Sequence, residues 1–329
     1  MTSQNSVAEV ERDDKSLLPF EARFVVAGSM WQIAANAPEI LAAARETFQP
    51  ADGAAGKIGL KVSCFVDSEL RGEKPWPRPR FRGLDHFVYA AYGAGGAMLI
   101  DLHQRRVISR FSPAMARDSS YWKCVLLPIL LGVTSASLGI TPLHCACLVR
   151  GGHGLILAGG AGAGKSTLAV TLALNNFAFL SDEWTYFSLS GSRAQAWGLP
   201  TPVKLLPDAV KYFPQLTETQ IATSLNGELA YEVDPVEVFS VDRSLFCEPK
   251  WLVFVERTDG TDTFFKPISS DDAFRRFAEE LEELPADLSN VRNQQLQTIR
   301  ALVNRECWLL QHRLPPSTVA EKLSEFCVT

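Results

Sequence analysis

Apolar positions recur along this chain in short blocks separated by glycine, proline and charged residues, and the spacing inside each block predicts its element. Phe24–Ile33 and Lys57–Val66 are rich in Val, Ile, Phe and Trp with partial alternation, which predicts strands, and Pro38–Phe48 between them predicts a helix. Three further strands are expected over Phe87–Tyr92, Ala97–Leu102 and Val107–Phe111, turning at Gly93–Gly96 and His103–Arg105. The polar run 1–19 predicts a loose tail, and Arg71–Arg82, with Pro75, Pro77 and Pro79, an extended, solvated connector. Asp118 or Ser119 can cap a helix that runs to Leu138 and stops at Gly139, after which a strand is expected over Leu143–Val149. A hairpin at Arg150–His153 returns the chain along Leu155–Ala158.

Beyond that point the chain reads as strands over Phe177–Leu180, Trp184–Leu189, Ala194–Trp197, Val203–Leu206, Trp251–Glu256 and Thr263–Lys266. Helices are expected over Thr167–Leu174, Asp271–Leu284, Leu288–Gln311 and Ser317–Phe326, with Phe274, Phe277 and Leu281 forming a core stripe. No internal repeat is present. These blocks predict a tail (1–19), an α+β module (20–117) and an α/β domain with a mixed, β-rich sheet (118–329).

At 329 residues, 47% hydrophobic and 21% charged, the chain can bury an ordinary core. Its formal charge of −5 argues against a broadly basic nucleic-acid surface. The N-terminus, with Glu9, Glu11, Asp13 and Asp14, lacks the basic and apolar blocks of a signal peptide. The longest apolar run, Cys124–Val133, is about half the roughly 20 residues of a membrane span, so a core helix and no membrane association are expected. Seven cysteines without a C-x-x-C pair predict reduced thiols and a cytoplasmic protein; Cys145 and Cys147, two apart on a strand, share a buried face.

The chemistry concentrates in Gly159-Gly160-Ala161-Gly162-Ala163-Gly164-Lys165-Ser166, which fits G-x-x-x-x-G-K-[ST] between a strand and a helix beginning at Thr167. Glycines let successive backbone N–H groups converge on a polyphosphate, and the helix N-terminus favours negative charge. Lys165 can reach the β and γ phosphates, and Ser166 can hold magnesium. Asp182-Glu183 begins seventeen residues after Lys165, at the end of a strand whose terminus is expected to share an edge with the loop. Asp182 can bind Mg²⁺ directly or through water, and either Asp182 or Glu183 can accept a proton from a hydroxyl. His144, twenty-one residues before Lys165, is expected on the strand paired with the one feeding the loop.

Together His144, Gly159–Ser166 and Asp182-Glu183 resemble the HPr kinase/phosphorylase family in residue type and spacing. The resemblance implies the P-loop core that this family shares with phosphoenolpyruvate carboxykinases, carrying a mixed, β-rich sheet. It also implies that Lys165 and the loop amides hold the nucleotide's phosphates, Ser166 and Asp182 the metal, and that Asp182 or Glu183 is the base, with His144 beside it. Glu183 stands where the family usually has Asp, and no counterpart of its Leu-Glu-Ile-Arg-Gly-Leu-Gly segment occurs between Trp197 and Glu237, so the likeness does not extend to phosphorolysis. It is similar to the divergent branch that includes peptide serine kinases of the lasso-peptide type. That family forms symmetric assemblies, so a homo-oligomer is a further expectation.

The function expected from the sequence is therefore an ATP- and Mg²⁺-dependent phosphotransferase acting on Ser or Thr of a protein or peptide. The alternatives are a small-molecule kinase, disfavoured by some 140 residues before the loop and by the strands after it, and a nucleotide-binding switch without transfer activity. Lys204 and Arg243 are secondary candidates for phosphate contact, against a surface lysine and a salt bridge to Asp242 or Glu237.

Overall fold

Alternating apolar residues in the first part of the chain build a sheet with one buried face. The structure is a computed structural model and describes residues 17–51, 53–54, 56–224, 227–258, 263–281 and 289–328. The tail expected over 1–19 thus lies largely outside the described residues. The chain separates into two compact units, Met1–Leu138 and Gly139–Thr329. The helical segment from Ser119 belongs to the first unit.

In the first unit β1 (Phe20–Val26), β2 (Ser29–Ala35), β3 (Gln49–Pro50), β4 (Leu60–Val66), β5 (Arg80–Leu84), β6 (Phe87–Ala91), β7 (Gly96–Asp101) and β8 (Arg106–Phe111) form one sheet in the order β3-β1-β2-β4-β8-β7-β6-β5. The run expected as one strand over Phe24–Ile33 is a hairpin, because residues 27 and 28 take left-handed backbone angles and reverse the chain. Helix α1 (Pro38–Thr47) crosses between the parallel strands β2 and β4 and buries Ile40, Leu41 and Ala44. Trp31 packs on Phe48 at 5.4 Å and Phe111 on Trp122 at 5.1 Å between ring centroids.

Two expectations for this unit change. Arg71–Arg82 is not simply a solvated connector: its end becomes β5, while the Lys74 ammonium (2.8 Å) and Trp76 Nε1 (2.6 Å) both meet the Asp118 carboxylate. Burial disfavours charge on Asp118, yet Lys74, Trp76 and the capped Tyr121 N–H outweigh it and hold its pKa down. The helix expected from Asp118 or Ser119 to Leu138 is present but is not uniformly α-helical. It spans Ser119–Leu138, with a π-helical stretch (Trp122–Leu126) leading into α2 (Leu127–Ser135), and its 20 residues at mean hydropathy 1.4 are long and apolar enough to cross a membrane. Trp122, Leu126, Leu127, Leu130 and Leu131 are buried, and 39% of the apolar window lies inside the structure.

The second unit is a mixed sheet whose two faces are both covered. Its elements are β9 (Thr141–Leu143), β10 (Ala146–Arg150), β11 (His153–Ala158), α3 (Lys165–Leu174), β12 (Ala178–Ser181), β13 (Thr185–Ser190), β14 (Arg193–Trp197), β15 (Val203–Leu205), β16 (Ala222–Thr223), β17 (Leu229–Val233), β18 (Phe246–Arg257), β19 (Phe264–Ile268), α4 (Ser270–Glu280), α5 (Ser289–Val303), β20 (Cys307–His312) and α6 (Pro316–Phe326). Strand β11 pairs antiparallel with β10 and parallel with β18, and β18 pairs parallel with β20. Strand β12 joins outside β10, so β11, β12, β18 and β20 all point the same way. The start of β18 also pairs with β14, which extends the sheet through β13 to β9.

One face packs on α3, α6 and the small β15–β17 layer, through residues such as Leu168, Leu172, Phe213 and Val319. The other packs on α4 and α5 through Phe277, Ile299 and Leu302. The helix expected over Leu288–Gln311 is split: α5 ends at Val303 and Cys307–His312 is a strand. Leu309 and Leu310 are both buried, and a strand buried on both faces loses the alternation that distinguishes it from a helix. Helix α4 ends at Glu280, and residues 282–288 of the expected Asp271–Leu284 and Leu288–Gln311 helices lie outside the described residues.

All seven cysteines are free thiols. Cys145 and Cys147 are fully buried, and burial pushes the Cys145 thiol up to about 12. Phe277 is wholly buried with its ring 5.1 Å from Phe254 of β18. Truncating it to Ala should cost about 3–5 kcal/mol, read as a lowered thermal transition of the second unit with the first unit's transition unmoved.

Candidate functional site

Four parallel strands ending at one edge bring the sequence's scattered candidates together. Ala158 ends β11 and opens the glycine-rich loop, Ser181 ends β12 before Asp182-Glu183, and Arg257 and His312 end β18 and β20. His144 arrives at the same edge from another direction. It does not lie on the strand paired with β11, as expected, but in the bend between β9 and β10, where the chain leaves the β13 side of the sheet for the β11 side. Cys147 beside Ser181 and Ala146 beside Leu157 fix that register.

The loop is shaped by its contacts with β18. Gly159 has φ +144°, and a Cβ there would lie 2.3 Å from the Val255 carbonyl oxygen, so the chain must leave β11 without a side chain. Gly164 has φ +90° and caps α3; a Cβ on it would stand 3.4 Å from Nη2 of Arg257. Gly160, Ala161 and Gly162 form the exposed crown of the loop. Behind it Lys165 is buried and donates to the carbonyls of Gly159 (2.6 Å) and Gly160 (3.2 Å). Burial lowers the Lys165 pKa, and Glu280 at the end of α4 opposes that shift, followed by Asp182. His144 is also lowered, first by burial and then by Lys165, which favours the neutral imidazole; its ring lies 5.8 Å from that of the half-exposed Trp184.

Asp182 is the least ordinary group at this edge. It is 7% exposed; the Ser166 hydroxyl and the Lys204 backbone N–H hydrogen-bond its carboxylate, yet Oδ1 has no partner. Burial pushes its pKa up to about 7, Ser166 opposes that shift, and the neighbouring Glu183 adds to it. A buried carboxylate oxygen without a donor is costly unless a cation or an acidic proton comes to it. The Ser166 and Asp182 oxygens form a donor set that fits a hard divalent cation such as magnesium, which uses one or two carboxylates and takes its remaining ligands from water and phosphate.

Two secondary candidates resolve differently. The Lys204 ammonium pairs with Glu228, so this residue reaches the site through its backbone N–H alone. Arg243 pairs with Asp234 at 2.6 Å, not with Asp242 or Glu237 as expected, and that pair caps the short helix Pro235–Phe239. The sequence reading missed Glu280 and Arg257. Glu280 follows Ala273 and Phe277 at i+7 and i+3, on the buried stripe of α4, a helical spacing legible in the chain. Arg257 follows the apolar block Trp251–Val255, but its position beside the loop depends on the parallel pairing of β18 with β11.

No family model and no curated protein matches the chain. Among solved structures, the Hpr(Ser) kinase/phosphatase from Coxiella burnetii aligns at 9% identity and a TM-score of 0.30, over 57% of this chain and 97% of that one. At that TM-score the likeness carries no argument, and the site is read from its own residues.

The Asp182 pKa sets a sign for stability. Its folded value, near 7, lies above the ordinary 3.8, so the cost of keeping the charged carboxylate buried grows as pH rises between those values and is constant above. At about 1.4 kcal/mol per unit, the total is on the order of 4 kcal/mol. Asp182→Asn should therefore match wild type in thermal stability near pH 4 and exceed it increasingly up to pH 7, measured by melting across pH without nucleotide or metal. A difference independent of pH would show that Asp182 is not buried as a carboxylate.

Proposed function

We propose that this protein is an ATP- and Mg²⁺-dependent phosphotransferase that phosphorylates a serine or threonine hydroxyl of a protein or peptide, and that its second unit carries the reaction. The observation supporting this reading most directly is the buried Asp182 with one unpartnered oxygen, joined through Ser166 to the N-terminus of α3 and the glycine-rich loop. The loop amides and Lys165 bind the phosphates, Lys165 exchanging the Gly159 and Gly160 carbonyls for phosphate oxygens. Ser166 holds magnesium, with Asp182 assisting directly or through water; the ion, when bound, neutralises phosphate charge.

Asp182 or Glu183 takes the acceptor hydroxyl's proton; burial favours Asp182 by raising its proton affinity in the metal-free site. Glu183 on the same turn raises that proton affinity, and neutral His144 orients the acceptor without adding positive charge near Lys165. The transferred phosphoryl group leaves ADP for the acceptor oxygen as that proton leaves it. A cytoplasmic setting agrees with seven free thiols. A symmetric homo-oligomer is proposed on the family resemblance alone.

Incubation with γ-labelled ATP and candidate peptides, proteins and polyols tests this. Lys165→Ala and Asp182→Asn should each lower transfer by about 10²–10³-fold, while Glu183→Gln keeps most activity and moves the pH–rate midpoint downward. Loss in Glu183→Gln with retention in Asp182→Asn would move the base to Glu183. Transfer to polyols only would favour a small-molecule kinase, and nucleotide binding without transfer a switch.

A further inference from the structure

The first unit carries a sheet face for which its own packing has no use. The rows of Cα partners across β4, β8, β7, β6 and β5 alternate between two faces. Val62–Val107–Ile100 and Cys64–Ser109–Met98–Ala90 are buried. The opposite face has a central row, Ser63–Ile108–Leu99–Tyr89–Arg82, in which Ile108 is 56% exposed and Leu99 and Tyr89 are each 45% exposed. The next row ends in Phe87 (37%) and Leu84 (72%), so apolar side chains lie next to one another in both directions.

A sheet face turned to water usually alternates to polar residues, and a contiguous apolar patch marks a binding surface. Here it encloses a concavity of about 520 Å³ lined by Phe65, Tyr89, Leu99, Ile108 and Arg110.

The charge around that patch is mainly basic, with Asp67 and Asp101 on the same face. Lys61 and Arg106 stand directly opposite each other at one end of their row, and Arg80 and Arg82 lie at the β5 edge. All four are exposed, and none has a side-chain hydrogen bond or ion pair among the described residues. Like charges directly opposite on neighbouring strands are unfavourable unless an anion compensates them. Of the acids on this face Asp67 pairs with Arg110, and Asp101, opposite Arg106 in the same row, accepts from the Gln104 N–H, so basic residues remain in excess.

We propose that this face binds a segment of a partner polypeptide in which apolar side chains are flanked by aspartate or glutamate. The apolar residues would cover Ile108, Leu99 and Tyr89 while the carboxylates meet Lys61, Arg80, Arg82 and Arg106. A second copy of this chain fits less well, because two such faces would bring their unpaired cations together. Nucleic acid fits less well because Leu99 and Ile108 at the centre of the row and Leu84 at its edge are aliphatic, which separates the aromatic rings of Tyr89 and Phe87 from Phe65, and because Asp67 and Asp101 share the face. The inference is independent of phosphate transfer by the second unit.

The test is fluorescence anisotropy on the full-length protein, with three labelled peptide series sharing their apolar positions and carrying Glu, Gln or Lys between them. The Glu series should bind at least about tenfold tighter than the Lys series and weaken as salt is raised. Leu99→Glu and Arg82→Glu, both at exposed positions, should each weaken Glu-series binding about tenfold with unchanged melting temperature. Equal binding of the Glu and Lys series, no peptide binding, indifference to both substitutions, preferential binding of a single-stranded oligonucleotide, or self-association abolished by Leu99→Glu would each overturn the proposal.

Discussion

The site at the edge of the second unit depends on the pairing of β11, which lies parallel to β18 on one side and antiparallel to β10 on the other. The parallel contact carries the loop across Val255 at Gly159 and stands Arg257 over Gly164. The antiparallel contact sets β10, and β12 beyond it, so that Asp182 emerges where Ser166 and Lys165 begin their helix. A one-residue slip at either contact would turn every side chain on that strand to the other face and part the carboxylate from the loop.

That arrangement gathers ionisable groups in a place where water is scarce. Lys165 and Asp182 are both buried, and burial works against the charge of each. Among the described residues neither forms a close ion pair. Lys165 leans on backbone carbonyls and feels Glu280 and Asp182 at longer range, while Asp182 is tempered by one hydroxyl and one N–H. Such under-satisfied buried charge is expensive in a resting protein and useful where a ligand supplies the missing counter-charges. The first unit repeats the theme at its surface, with an exposed apolar row and cations that form no ion pair among the described residues.

Much of this was legible in the chain. The loop's eight residues, the hairpin before it, the strand before Asp182 and the Asp118 cap all follow from local chemistry: glycine spacing, turn residues, apolar alternation and a side-chain acceptor at a helix start. The errors occurred where an element's neighbours outweigh its own pattern. Cys307–His312 reads as the tail of a helix because both faces of β20 are buried, and the salt bridge expected of Arg243 is made to Asp234, a partner that only the fold reveals.

The sequence by itself determined which groups could do chemistry, because a glycine loop, a lysine and an acidic pair owe their reactivity to residue type and close spacing. Only the tertiary structure decided how they stand. His144 sits in a bend between two strands, Asp182 is buried with an oxygen to spare, and Glu280 and Arg257 come from more than seventy residues beyond Asp182. Strand order, register and desolvation are properties of contacts between distant segments, and no local pattern encodes them.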